Sequence, residues 1–286
     1  MTVLVSGKNG QLGSELLTIH VSYPQFKFIF LGKDELDLSS EMSIDAAFQQ
    51  YQPHYFINCG AYTLVDKAET EKELSEKING ENVGYIAELC KQFNTTLIHV
   101  STDYVFDGNA KHPYKTDDAT NPVNFYGQTK LIGENLALAK NDKTIIIRTA
   151  WVYSSFGKNF VKTMLRLMSE RNEISVVNDQ LGTPTYARDL ATAICEIIAS
   201  GKEKYGVYHF TNTGIISWFD FAVEIKKLAG LNCTVHAIAT SQFPTPAKRP
   251  HYSVLDKSKI AQDYSVQLKD WKVSLKECMQ YLTDIA

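Results

Sequence analysis

Tyr126 and Lys130 stand four residues apart in the run Tyr126-Gly127-Gln128-Thr129-Lys130, so on a helix both side chains face the same way, about one turn from each other. That spacing suits acid–base chemistry. A phenol with a pKa of about 10 is a poor acid–base group at neutral pH, but a nearby ammonium stabilises the phenolate and lowers that value. Thr102, in Ser101-Thr102-Asp103-Tyr104-Val105-Phe106, offers a hydroxyl to orient a substrate carbonyl beside the phenol while a nicotinamide exchanges hydride from the other side. A tyrosine and a lysine at this spacing also occur on ordinary exposed helices. Their order along the chain, after a strand-end hydroxyl and a glycine-rich loop, gives the pair its meaning.

The loop is Ser6-Gly7-Lys8-Asn9-Gly10-Gln11-Leu12-Gly13, entered from the apolar run Val3-Leu4-Val5. Glycines at this spacing between a strand and a helix permit a tight turn and close approach of a pyrophosphate, and the helix N-terminus presents free N–H groups. The position points to a dinucleotide site. At the end of the second strand an acidic residue favours NAD and a basic one NADP; Phe30-Leu31-Gly32-Lys33-Asp34 carries both signs. Lys33 tips the expectation to NADPH, with NADH as the alternative. Asp37 lies where a polar side chain meets an adenine edge, and a helix N-cap is an equally good reading of Asp37 or Ser39.

Elements that position these groups alternate through the first half. Strands are expected at Val3–Ser6, Phe28–Leu31, Tyr55–Asn58, Leu97–Ser101 and Thr144–Arg148, with helices at Gln11–Ile19, Ser43–Tyr51, Gly80–Phe93 and Tyr126–Ala139. Such alternation predicts an α/β fold with a Rossmann-type doubly wound parallel sheet. Beyond Trp151 the rhythm loosens, with helices at Asn159–Arg171, Ala187–Ala199 and Trp218–Leu228 and strands at Ile174–Val177, Val207–Phe210 and Cys233–Ile238. Residues 1–150 are read as the NAD(P)-binding domain, completed by parts of 174–215, and 151–286 mainly as a smaller, discontinuous substrate-binding lobe. The segment Phe243 to Pro250 carries three prolines and must be extended or turning.

Composition excludes several other classes. With 44% hydrophobic and 21% charged residues the chain of 286 residues should bury a substantial core. A net charge of −3 gives no overall attraction for nucleic acid or anionic lipid. Five scattered cysteines without CxxC pairing suggest neither zinc nor disulfides and fit a reducing compartment. The N-terminal run lacks a basic flank and is too short for a signal peptide, and no segment reaches the roughly 20 apolar residues of a membrane span. The cytoplasm is the expected location. The histidines form no HxH or HExxH pattern, and His99, inside an apolar strand, reads as a satisfied core residue and not a metal ligand.

With these motifs in hand, the chain resembles the dTDP-4-dehydrorhamnose reductase family of extended short-chain dehydrogenases. The likeness rests on Gly7 to Gly13, Ala61-Tyr62-Thr63-Leu64-Val65-Asp66-Lys67-Ala68-Glu69, Ser101 to Gly108, Trp151-Val152-Tyr153 and Pro244-Thr245-Pro246-Ala247-Lys248-Arg249-Pro250, in order and over nearly the whole chain. It implies reduction of the 4-keto group of dTDP-6-deoxy-L-lyxo-4-hexulose to dTDP-L-rhamnose, the last step towards a sugar donor for cell-surface polysaccharides. It places Gly10, Gln11, Leu12, Asp37, Leu38, Ala61, Tyr62 and Thr63 on the dinucleotide, with Tyr126 and Lys130 at the nicotinamide ribose. Thr102, Asp103 and Trp151 would meet the substrate, Tyr126 donating the proton, and a flat indole face suits a deoxysugar. Arg249 is the candidate for the diphosphate, because its fork matches phosphate oxygens, a surface ion pair being the other reading.

One departure concerns a metal. Some members of the family dimerise through magnesium held by carboxylates, and Glu15 matches the first of them, but the other two positions hold Arg188 and Tyr281. An arginine repels a cation and a phenol is a poor ligand for a hard ion, so no magnesium bridge is expected. Glu15 is then read as a solvated residue of the first helix, and the chain as a monomer or weak homodimer. Two other functions share the motifs: a dinucleotide-binding regulatory subunit without catalysis, and a nucleotide-sugar epimerase or dehydratase.

Overall fold

A computed structural model describes residues 1–283. Strands β1 (Thr2–Ser6), β2 (Lys27–Leu31), β3 (Tyr55–Asn58), β4 (Thr96–Thr102) and β5 (Thr144–Thr149) pair in parallel, and a sixth strand, Gly206–His209, adds beside β5. The spatial order is β2, β1, β3, β4, β5 and then Gly206–His209. The sheet is therefore Rossmann-type and doubly wound. Winding reverses between β1 and β3, and in such sheets the crevice outside the strand ends at that point is where ligands bind.

Both faces of the sheet are covered, which is why its strands read as unbroken apolar runs. Val3, Val5, Ile98, Ile145 and Ile147 point to one face, against Leu12 and Leu16 of α1 (Gln11–Ile19) and Leu190 and Ile194 of helix Ala187–Ser200. Leu4, Phe56, Leu97 and Ile146 point to the other, against Ile44 and Phe48 of α2 (Glu41–Tyr51), Val83 and Ile86 of helix Asn82–Gln92, and Ala137 of helix Phe125–Lys140. This strict alternation fixes the register, because a one-residue slip would exchange the two cores.

A third apolar cluster lies in the second half of the chain. Helices Phe160–Glu170, Trp218–Ala229 and Trp271–Thr283 contribute Val161, Met164, Phe221, Leu275 and Cys278 to it. Strand Glu173–Val177 pairs in parallel with Thr234–Ile238 and not with the main sheet. Its burial alternates residue by residue, as expected for a strand covered on one face only.

Two expectations needed adjustment. Helical structure does not begin at Gly80 but at Lys72, and it passes through a π-helical turn, Lys77–Glu81, before Asn82–Gln92. Such a turn inserts an extra residue and breaks the 3.6-residue period on which the expectation was based. The N-cap of α2 is Ser40, whose hydroxyl accepts from the Ser43 N–H, and neither Asp37 nor Ser39. Among the described residues no helix is long and apolar enough to cross a membrane.

Candidate active site

The glycine loop is built for an anion. Gly7 sits at φ +71°, where side chains are strained, and a Cβ on Gly13 would lie 2.2 Å from the Gly7 carbonyl oxygen. Gly10 caps α1 without a side chain, and the first turn carries no acidic residue. The first N–H groups of α1, from Gln11, Leu12 and Gly13, are thus left for a phosphate. The Gln11 side chain turns away from the loop: its Nε2 donates to the Val152 carbonyl at 3.3 Å, and its Oε1 accepts from Asn159 Nδ2 at 3.0 Å. It ties the cofactor loop to the second half of the chain.

At the adenosine end both signs of charge are present, as the sequence suggests, but the pair that meets is Lys8 with Glu35. Glu35 also accepts from the Gly32 N–H at 2.8 Å, and these bonds hold its carboxyl below the usual range, the Lys8 contribution being the larger. Lys33 is exposed. Asp37 is occupied locally, accepting from the Ser39 N–H at 2.9 Å and the Ser39 hydroxyl at 2.7 Å, which lowers its pKa.

Leu38 is nearly buried, and its Cδ1 packs so closely on Gly60 that a Cβ there would lie 2.4 Å away. Beyond Gly60, Ala61, Tyr62 and Thr63 form a loop clamped by Asn79, which accepts from the Tyr62 N–H and donates to its carbonyl, both at 2.9 Å. Asn79 lies within the π-helical turn. Sequence reasoning missed it, because the signal is an extra residue in a helical period and not a motif.

The reactive groups converge at the end of β4. Thr102 terminates the strand; its hydroxyl accepts from the Tyr104 N–H at 3.2 Å and donates to Asp103 Oδ1 at 3.0 Å. Asn124 caps helix Phe125–Lys140 by accepting from the Gly127 N–H at 2.8 Å, which sets Tyr126 in the first turn. Lys130, 2% exposed, donates to the Val100 carbonyl at 2.7 Å and meets His99 Nε2 at 3.1 Å. Burial pulls its pKa down to about 8, against the opposing charge of Glu134.

The electrostatics of Tyr126 differ from the sequence-based expectation. Its phenol pKa is raised, first by burial and then by the Asp103 carboxylate, and the Thr102 hydrogen bond offsets this only in part. The ammonium does not dominate, because partial desolvation and the Asp103 charge outweigh it. Asp103 is pushed up to about 7, again by burial, against hydrogen bonds from Ser253 and Thr102. A phenol kept protonated in this way is an acid and not a base.

Trp151 follows β5 with a left-handed backbone, φ +50°, which is an outlier for so bulky a residue. One face of its indole is covered by Trp218, with ring centroids 3.6 Å apart and planes inclined by 12°. Trp218, read from the sequence only as the start of a helix, is therefore part of the same aromatic wall.

Arg249 forms an ion pair, the second of its two readings, and not with a free-standing surface group. Its Nη2 donates to Asp66 Oδ2 at 2.8 Å, Nη1 bonds Oδ1, and the Ala247 N–H donates to the same Oδ1 at 3.1 Å. The hydrogen bonds lower the pKa of Asp66. The Asp66 hydrogen bond raises the pKa of Arg249, against its burial, with a smaller contribution from Tyr104, whose ring meets Tyr126 edge-on at 5.9 Å.

Glu15 corrects another expectation: it is fully buried and not solvated. One oxygen accepts from Ser154 Oγ at 2.6 Å and the other from Arg188 Nε at 2.8 Å, while the guanidinium lies 3.9 Å from the centroid of the Tyr281 ring. The three positions do meet, but as carboxylate, guanidinium and aromatic face. A cation there would have to displace Arg188, so these residues do not fit magnesium.

A parallel doubly wound sheet with a glycine loop after β1, a hydroxyl ending β4 and a tyrosine one turn before a buried lysine defines an extended short-chain dehydrogenase/reductase. The model of the RmlD substrate binding domain family matches residues 1–283. The chain belongs to the dTDP-4-dehydrorhamnose reductase family, whose members are oxidoreductases acting in the last step of dTDP-rhamnose synthesis. It is 40% identical to the dTDP-4-dehydrorhamnose reductase of Aggregatibacter actinomycetemcomitans over 98% of each chain. Among solved structures it is similar to a Clostridium acetobutylicum dTDP-4-dehydrorhamnose reductase (TM-score 0.94, 41% identity, covering 99% of this chain and 100% of that one). It is also similar to the Bacillus anthracis enzyme in complex with NADP (TM-score 0.93, 36% identity, 98% of each chain).

Proposed function

We propose that this chain uses NADPH to reduce the 4-keto group of dTDP-6-deoxy-L-lyxo-4-hexulose to dTDP-L-rhamnose, with Tyr126 as the proton donor. The observation that carries the assignment is the half-buried phenol, held protonated at neutral pH beside Thr102 and one turn from Lys130. Bound NADPH supplies hydride to C4 of the sugar. Tyr126 gives its proton to the C4 oxygen, and Thr102 orients that oxygen. Lys130 supplies positive charge against the phenolate left behind.

The loop from Gly7 to Gly13 holds the pyrophosphate, and Leu38 with Ala61, Tyr62 and Thr63 lines the adenosine side. Trp151, backed by Trp218, covers the deoxysugar, and Asp103 meets its hydroxyls. Arg249 offers a fork for phosphate, and it releases part of its hold on Asp66 when the diphosphate arrives. The Lys8–Glu35 pair reads both signs at the adenosine ribose, so NADH remains a usable second reductant. The enzyme works in the cytoplasm on a small nucleotide sugar, as a monomer or weak homodimer. Its five thiols are free, and four of them are buried.

Incubation with NADPH and the dTDP-linked ketosugar, followed by NMR of the product, tests the assignment. The expected product is dTDP-L-rhamnose. Failure to convert this ketosugar, with turnover of another nucleotide sugar at unchanged NADPH concentration, would overturn it in favour of an epimerase or dehydratase.

A further inference from the structure

Lys8, in the turn of the glycine loop, reaches across the ends of β1 and β2 to form an ion pair with Glu35, in the turn that follows β2. Gly32 lies beside the pair. A Cβ there would come 3.2 Å from Lys8 Cε and 3.1 Å from Asn9 Nδ2, so glycine leaves the lysine stem room to cross. In dinucleotide-binding sheets the end of the second strand is where the adenosine ribose and its 2′ substituent are read.

The two turns do not need this pair to hold their shape. The Lys8 N–H donates to the Leu31 carbonyl at 3.1 Å and the Gly10 N–H to the Gly7 carbonyl at 2.9 Å. The second turn closes on the Gly32 carbonyl, which accepts from the Glu35 and Leu36 N–H groups at 3.1 and 2.8 Å. With side chains 30% and 47% exposed, the ion pair adds little to stability.

Both partners instead keep unspent capacity. Glu35 Oε2 accepts from the Lys8 ammonium and from the Gly32 N–H, the latter at 2.8 Å, and among the described residues no group donates to Oε1. Lys8 commits one of its three N–H donors to Glu35. A spare carboxylate oxygen suits a ribose hydroxyl, and spare ammonium hydrogens suit a phosphate. A monoester phosphate carries a charge of about −1.5 to −2 at neutral pH, so Lys8 attracts it and Glu35 repels it. Glu35 stays ionised, because the Lys8 bond first and the Gly32 N–H second hold its carboxyl below the usual range. The other charges nearby are Lys33 and Asp34, exposed and opposite in sign, and Asp37, which is spent on Ser39.

We propose that Glu35 is a specificity-determining residue for the reductant: paired with Lys8, it holds back the cation that a 2′-phosphate needs and offers its own oxygen to a 2′-hydroxyl, narrowing the preference for NADPH over NADH. The inference rests on the reductants assigned above.

Binding of each dinucleotide to the full chain, without sugar and followed by fluorescence of the reduced nicotinamide, tests it. Glu35→Gln frees Lys8 and removes the repulsion, so NADPH should bind about tenfold tighter and NADH a few-fold weaker. Lys8→Gln should weaken NADPH about tenfold and leave NADH within about twofold. The ratio of the two dissociation constants thus moves in opposite directions in the two variants, and both moves should shrink at high salt. Equal changes for both dinucleotides would mean that the pair only clamps the loop, and would overturn the proposal. So would a ratio that both variants move the same way, or moves that salt does not touch. A wild type that binds both dinucleotides but leaves the ketosugar unchanged would refute the assigned reaction and not this inference.

Discussion

Asp66 grips Arg249 at both nitrogens of its fork, with Nη2 to Oδ2 at 2.8 Å, and so fastens the proline-rich segment before Pro250 to the short helix Val65–Ala68. Asn124 adds a second tie, donating to the Lys248 carbonyl at 2.8 Å from the N-cap of the helix that carries Tyr126. If the pair acts as one unit, Asp66→Ala and Arg249→Ala should each lower kcat/KM about tenfold, and the double variant little further. A double-mutant cycle on kcat/KM checks this. Additive losses would mean that the two residues act separately.

Trp218 stacks on the Trp151 indole, which the proposed function sets against the sugar. Trp218→Leu should raise KM for the nucleotide sugar several-fold, about 1 kcal/mol of lost aromatic contact, with kcat changed less than twofold. Steady-state kinetics with NADPH saturating measure it. A fall in kcat at unchanged KM would show that the wall acts on the chemical step.

How much of this was legible in the sequence differs by element. The glycine loop, Thr102, Tyr126 and Lys130 could be read because strand, turn and helix periods place them locally. The parallel, doubly wound sheet followed from the alternation of apolar runs with helical patterns, whereas its strand order is set by long-range pairing. Trp218 was not legible, since its partner Trp151 is far away in sequence and only packing brings them together. Asn79 hid in a π-turn that breaks the helical period. Glu15 misled because position in a first helix suggests solvent, whereas helix Ala187–Ser200 packs on α1 and brings Arg188 over it.

The Glu15–Arg188 pair predicts a stability pattern. Glu15→Ala leaves a largely buried guanidinium without its carboxylate and should cost about 3 kcal/mol. Glu15→Gln combined with Arg188→Met should recover more than half of that loss. Urea unfolding measures both, and added magnesium or chelator should leave the transition midpoint unchanged. A midpoint raised by magnesium would contradict the account.

Asp103 gives stability a defined pH dependence. Burial pushes its carboxyl up to about 7 in the folded protein, against the ordinary 3.8, so between these values the native state binds the extra proton. Its contribution is fully present below pH 4 and is lost as pH rises through about 7. Asp103→Asn removes that loss, so the variant should gain stability relative to wild type between pH 5 and pH 8. Denaturant melts at the two pH values test the sign; a variant whose deficit grows at pH 8 would show that the carboxylate is stabilising when charged.

The central claim is that Tyr126 protonates the sugar oxygen. The direct measurement is the rate of NADPH oxidation, followed by absorbance, with the dTDP-linked 4-ketosugar, for wild type and Tyr126→Phe at matched, saturating NADPH. Phenylalanine keeps the ring against Tyr104 and removes the hydroxyl that carries the proton, so kcat should fall by about 10² to 10⁴ while NADPH still binds. A variant that turns over as fast as wild type would contradict the account.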